Sequence, residues 1–125
     1  TFYNVTFKNV SLYSYESICE DAINIINSEG YLELIEIKNS ISDGLDLDFS
    51  ELKFNYLHLE NSKNDCLDMS YGKYEIEIIK TMNCSDKGIS IGENSYVKIK
   101  TLVNSNSKFI PIFFKMSNFY QTFNF

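Results

Sequence analysis

A chain of 125 residues, 44% apolar and 22% charged, has the size of one compact domain and excludes a multidomain enzyme. Its 11 basic residues are all lysines and face 17 acidic ones, a net charge of −6 that argues against a phosphate-tracking nucleic-acid surface. No stretch of the sequence reaches the roughly 18 apolar residues of a membrane-crossing helix, so membrane insertion is not expected.

Residues 1–19 read as a partial coil, because Val10, Leu12 and Tyr15 stand 22 positions before Leu32, Leu34 and Ile37. The chain starts without methionine inside a strand-like pattern, which suggests a fragment of a longer parent whose other domains would be its partners. A repeat then takes over. Ala22, Gly44, Cys66 and Gly88 recur every 22 residues, followed by Ile23, Leu45, Leu67 and Ile89, and then by Ile25, Leu47, Met69 and Ile91. The coils fall at 20–41, 42–63, 64–85 and 86–106. Later in each unit Leu32, Phe54 and Ile76 keep the spacing, as do Leu34, Tyr56 and Ile78, and Asn39, Asn61 and Asn83. The fourth coil continues with Val97, Ile99 and Asn104, which requires one residue fewer in the turn at 92–96. Ile110 and Ile112 fit a fifth coil, and 107–125 reads as an aberrant aromatic cap or terminal segment over an open solenoid end.

Within a unit, runs such as Leu45-Asp46-Leu47-Asp48-Phe49 and Phe54-Asn55-Tyr56 alternate with period 2, which places apolar residues on one face of a strand. Turn formers such as Ser28-Glu29-Gly30 and Asn61-Ser62-Lys63-Asn64 separate them. Two or three short strands per unit wind the chain once and stack each strand on its counterpart about 4.8 Å away, giving an all-β parallel β-helix. Leucine-rich repeats have a similar length, but their Asn stands at a different distance from the apolar pair. A helical solenoid would need helix formers, and the chain has one alanine.

With Leu45 and Leu47 inside, Asp46 points outward with Asp68 in register, flanked by Asn24 and Ser90; Asp21, Asp43 and Asp65 form a second register ending in Lys87. Asp43, Asp46, Asp65 and Asp68 are therefore candidate ligands for calcium, which prefers flexible carboxylate clusters. The alternative is that these side chains cap turns and solvate the face. The asparagines at 39, 61, 83 and 104 suit a left-handed turn position, where each can hydrogen-bond to its counterpart along the ladder. His58 is the only histidine and has no nucleophile at a recognisable spacing, so it reads as a surface residue, and Cys66 reads as a buried structural thiol. Neither a G-x-S-x-G, an H-E-x-x-H nor a phosphate-binding glycine loop occurs.

The stretches Ser42-Asp43-Gly44-Leu45-Asp46-Leu47-Asp48-Phe49-Ser50 and Asp86-Lys87-Gly88-Ile89-Ser90-Ile91-Gly92-Glu93 resemble the right-handed parallel β-helix repeats of the pectin-lyase-like superfamily over about residues 20–106. In particular they are similar to units of secreted bacterial proteins, some of which carry a spore-coat-type kinase domain. The resemblance implies a secreted or cell-surface protein and a polysaccharide partner, but not an activity. A polygalacturonase-like site would need N-T-D, D-D, G-H-G and R-I-K elements; this chain has Asn64-Asp65-Cys66 but neither arginine nor G-H-G. A calcium-dependent lyase would need a carboxylate cluster, for which Asp43, Asp46, Asp65 and Asp68 qualify, and a base such as Lys87 or Lys73. The expectation is a noncatalytic β-helix segment, a stalk or glycan-contacting module, with a fragment of a calcium-dependent polysaccharide lyase or other enzyme on acidic glycans as the alternative.

Overall fold

The computed structural model describes residues 1–106 and 112–114, which contain strands and turns only. In chain order the strands are β1 Phe2–Tyr3, β2 Thr6–Tyr15, β3 Asp21–Ile26, β4 Glu29–Ser40, β5 Asp43–Asp48, β6 Glu51–Ser62, β7 Leu67–Ser70, β8 Lys73–Met82, β9 Ile89–Ile91, β10 Tyr96–Ser105 and β11 Ile112–Phe114. The short odd-numbered strands form one sheet, β1-β3-β5-β7-β9-β11, and the long even-numbered ones the other, β10-β8-β6-β4-β2. Each strand pairs in parallel with the strand one coil away, so the chain is a parallel β-solenoid. Ile23, Leu45, Leu67 and Ile89 stack in register, as do Ile25, Leu47, Met69 and Ile91, and nearly all are fully buried. Burial of such columns is the main stabilising contribution, at roughly 1.5–3 kcal/mol per large apolar side chain.

Three corners close each coil. The first follows the odd strand, where Asn4, Asn27, Phe49, Tyr71 and Asn94 all have positive φ, between 47° and 56°. The second lies inside the even strand. Leu32 and Ile35 are buried while Glu33 is exposed and Leu34 half-buried, and two successive outward residues require the strand to turn. The same slip makes Leu57 and Ile79 inward in place of Tyr56 and Ile78, the latter 40% exposed. The period-2 reading of Leu34, Tyr56 and Ile78 as inward residues is therefore corrected: a corner resets the alternation. The third corner holds Asn39, Asn61, Asn83 and Asn106, again at positive φ. Each amide there donates to its predecessor, at 2.9 Å for Asn61 to Asn39, 2.9 Å for Asn83 to Asn61 and 3.2 Å for Asn106 to Asn83.

Two register expectations also change. The fourth coil is longer rather than shorter: Ile91 pairs with Met69, but Val97 pairs with Tyr74 and Ile99 with Ile76, so a residue has been added at Gly92 and Glu93. Asn106 accordingly takes the corner assigned to Asn104, which instead stands beside Thr81 and accepts its hydroxyl at 2.6 Å. In the first coil Leu12 pairs with Ile35 and Tyr15 with Lys38, and only Val10 keeps its expected partner, Leu32, at a bulge beside Asn9. At the other end Ile112 pairs with Ile89, in keeping with a fifth coil, and Phe113 and Phe114 continue the pairing with Ser90 and Ile91 into the segment read as aberrant. Ile110 and the remainder of the expected cap lie outside the described residues.

Cys66 is not a free thiol. It occupies the narrow slot of Gly44, where an added Cβ would meet the Cys66 carbonyl oxygen at 2.6 Å and Ser62 Oγ at 2.9 Å. Cys84 stands one coil beyond Ser62. The pair adjacent in one coil as Gly44 and Ser62 recurs in the next as Cys66 and Cys84, which form a buried disulfide spanning 18 residues. Cys19 is the remaining, exposed cysteine.

Candidate functional site

The outer face of the odd-numbered sheet carries the acidic strip. Because Leu45 and Leu47 are buried, Asp46 faces outward, and the register sets it between Asn24 and Asp68, with Ser90 beyond. Asn24 Nδ2 donates to Asp46 Oδ2 at 2.6 Å. Loss of hydration by partial burial, reinforced by Asp48, Asp21, Asp68 and Asp43, pushes the Asp46 carboxyl up to about 7. Burial, then Asp43 and Asp65, push Asp68 up to about 6. These two groups are thus partly protonated near neutral pH, which eases the repulsion of carboxylates stacked one coil apart.

Asp43 and Asp65 are engaged differently. Asp43 Oδ1 accepts the Asp65 backbone N–H at 2.9 Å and Asn64 Nδ2 at 2.8 Å. Asp65, almost fully buried, accepts the Lys87 backbone N–H at 2.9 Å and Lys87 Nζ at 3.1 Å. Lys87 Nζ also pairs with Asp86. The four carboxylates therefore divide, Asp46 and Asp68 on the open face and Asp43 and Asp65 at the turns. Among the described residues no group of three or more His, Cys, Asp or Glu side chains is placed to hold a metal ion. Asp46 and Asp68 stand in register on neighbouring strands as a pair.

Of the two candidate bases, Lys87 joins Asp65, whereas Lys73 lies on the even-numbered sheet against Glu51 at 3.4 Å and Glu75 at 4.0 Å. His58 stands on the outer face of β6, partly buried, with Nδ1 3.9 Å from Glu36 and Nε2 3.6 Å from Glu60. Two features escaped sequence reasoning. The disulfide needs to be seen in three dimensions, because the slots that approach each other lie at opposite ends of a coil. The first corner was legible in principle: Phe49 and Tyr71 stand 22 and 44 residues after Asn27, a departure from asparagine that period-2 counting concealed.

Comparison with known proteins finds no matching family model, no matching curated protein and no matching solved structure.

Proposed function

We propose that the chain is a noncatalytic β-solenoid segment of a secreted or cell-surface protein, of the pectin-lyase-like kind, that serves as a rigid stalk presenting a face to glycans. The observation that carries this reading is that the polar side chains able to do chemistry hold the coils together. The Asn39-Asn61-Asn83-Asn106 ladder, the Ser40 to Ser62 hydroxyl bond at 2.9 Å, and the carboxylates of Asp43 and Asp65 each bind the neighbouring coil. The disulfide supports an oxidising compartment, where such bonds persist.

A second reading, a fragment of a calcium-dependent polysaccharide lyase, is favoured by the in-register Asp46 and Asp68 carboxylates on an open face. Incubation with uronate polymers, with and without calcium, separates the two through the ultraviolet absorbance of the unsaturated product that β-elimination leaves. The expected result is no product. Metal-dependent turnover would overturn the noncatalytic reading.

A further inference from the structure

The first corner carries a conformational anomaly. A positive φ costs an ordinary L-residue about 1–2 kcal/mol, and Asn tolerates it best after Gly. Three of the five coils meet this demand with Asn4, Asn27 and Asn94, but two place Phe49 and Tyr71 there, at φ of 49° and 47°. Both rings are in water, Phe49 57% and Tyr71 39% exposed, so core packing does not repay the strain. Strained backbone on an exposed face, with no return beyond the contact of the two rings, points to a functional site.

The rings have a definite arrangement. They stack with centroids 4.8 Å apart, the spacing of successive coils, and planes within 8° of parallel. One face of Phe49 is covered by Tyr71, whose hydroxyl is held by Glu93 at 2.8 Å. In the two preceding coils the corner is held by the smaller Asn27 and Asn4, with Asn27 Nδ2 donating to Asn4 Oδ1 at 2.6 Å. A groove of about 590 Å³ runs beside both rings, lined by Phe49, Tyr71 and Asn27 and, on the adjoining face, by Glu29, Glu51 and Lys73. Thr6, Glu29 and Glu51 stand in register one coil apart, with Lys73 next in line and paired to Glu51.

An aromatic face beside a row of hydroxyl, amide and carboxylate groups suits a pyranose. The ring quadrupole attracts the polarised C–H face of the sugar, and the polar row receives its equatorial hydroxyls. Glu29 and Glu51 outnumber Lys73, so a uronate would meet net negative charge. We infer that this groove binds a neutral hexopyranose chain, one sugar lying on the free face of Phe49. The inference rests on the glycan-contacting reading above and makes it specific.

The test uses the whole chain and short soluble oligosaccharides of cellulose, chitin and polygalacturonate. A neutral series should bind and shift the Phe49 ring resonances in NMR titration. Phe49→Asn, which installs the residue of the two preceding coils, should keep the melting temperature and weaken binding about ten-fold or more, the equivalent of one aromatic contact. Binding of neither neutral series overturns the inference. So does preference for polygalacturonate, unaltered binding by Phe49→Asn, or titration shifts remote from Phe49. The two readings fail separately, since turnover of any glycan overturns the noncatalytic assignment and absence of neutral-glycan binding overturns only the site.

Discussion

Two corners of the same coil impose the same backbone demand and answer it in opposite ways. At the third corner every coil from Asn39 onward supplies asparagine, and each amide donates to the one before it in an unbroken ladder. At the first, asparagine gives way to a stacked Phe49 and Tyr71 facing water. Conformation alone selects asparagine at both. The first coil departs from asparagine at the third corner too, with Glu16 at a φ of 58°, but only Phe49 and Tyr71 put aromatic rings at such a position, and the proposed groove beside Phe49 is a use for them.

Both corners depend on the columns between them, so the largest effect comes from breaking a column. Leu67→Asp places a charge in the middle of the fully buried Ile23-Leu45-Leu67-Ile89 stack and should abolish the cooperative unfolding transition seen by circular dichroism. The next largest separates the corners, since the disulfide braces only the third. Cys66→Ala with Cys84→Ser copies the side chains of Ala22 and Ser62 and removes only the cross-link; closing a loop of 18 residues is worth about 3 kcal/mol, measurable by urea denaturation.

The comparison is sharpest with paired substitutions. Asn61→Ala loses two ladder bonds of 2.9 Å and leaves alanine at a positive φ, and should cost about 1–2 kcal/mol. Phe49→Asn relieves the backbone but loses the stack with Tyr71, and should stay within about 1 kcal/mol of the parent in the same urea titration. Equal losses from both would mean that the first corner, too, is merely structural.

Smaller effects come from the acidic strip between the corners. Asp46 and Asp68 have carboxyls raised to about 7 and about 6 from an ordinary value of 3.8, so the folded state holds more protons than the unfolded one between about pH 4 and 7. Their contribution therefore becomes less favourable as pH rises through that window. Asp46→Asn with Asp68→Asn should raise the melting temperature at pH 8 relative to the parent and flatten its dependence between about pH 5 and 8. Millimolar calcium should raise the parent by at most a few degrees and the double variant by less, with magnesium weaker than calcium; identical responses in parent and variant would make the strip a solvated face.

The columns were legible because the repeat constrains identity at positions 23, 45, 67 and 89, where only large apolar residues fill the interior. The Asp46 and Asp68 register followed from the same count. Corners were harder, because a corner resets the alternation without changing the repeat, as the exchange of Ile35 for Leu34 demonstrates. The length of the fourth coil was read with the wrong sign because Val97 and Ile99 sit at inward positions under either alignment of alternating residues. Phe49 looked like the last inward member of Leu45-Asp46-Leu47-Asp48-Phe49, and only its positive φ turns it out.

The disulfide has a mechanical consequence. A solenoid pulled from its ends peels one coil at a time, and each freed residue lengthens the tether by roughly 3.5 Å. The segment between Cys66 and Cys84 cannot join that extension, because its two ends are already covalently joined. Removing 18 residues from the contour shortens the fully stretched chain by roughly 60 Å, and the locked loop is a full strand pair in the middle of the stack. Tension arriving from either side therefore passes through a covalent link at this coil, whose interior is shielded from the load for as long as the bond stays oxidised.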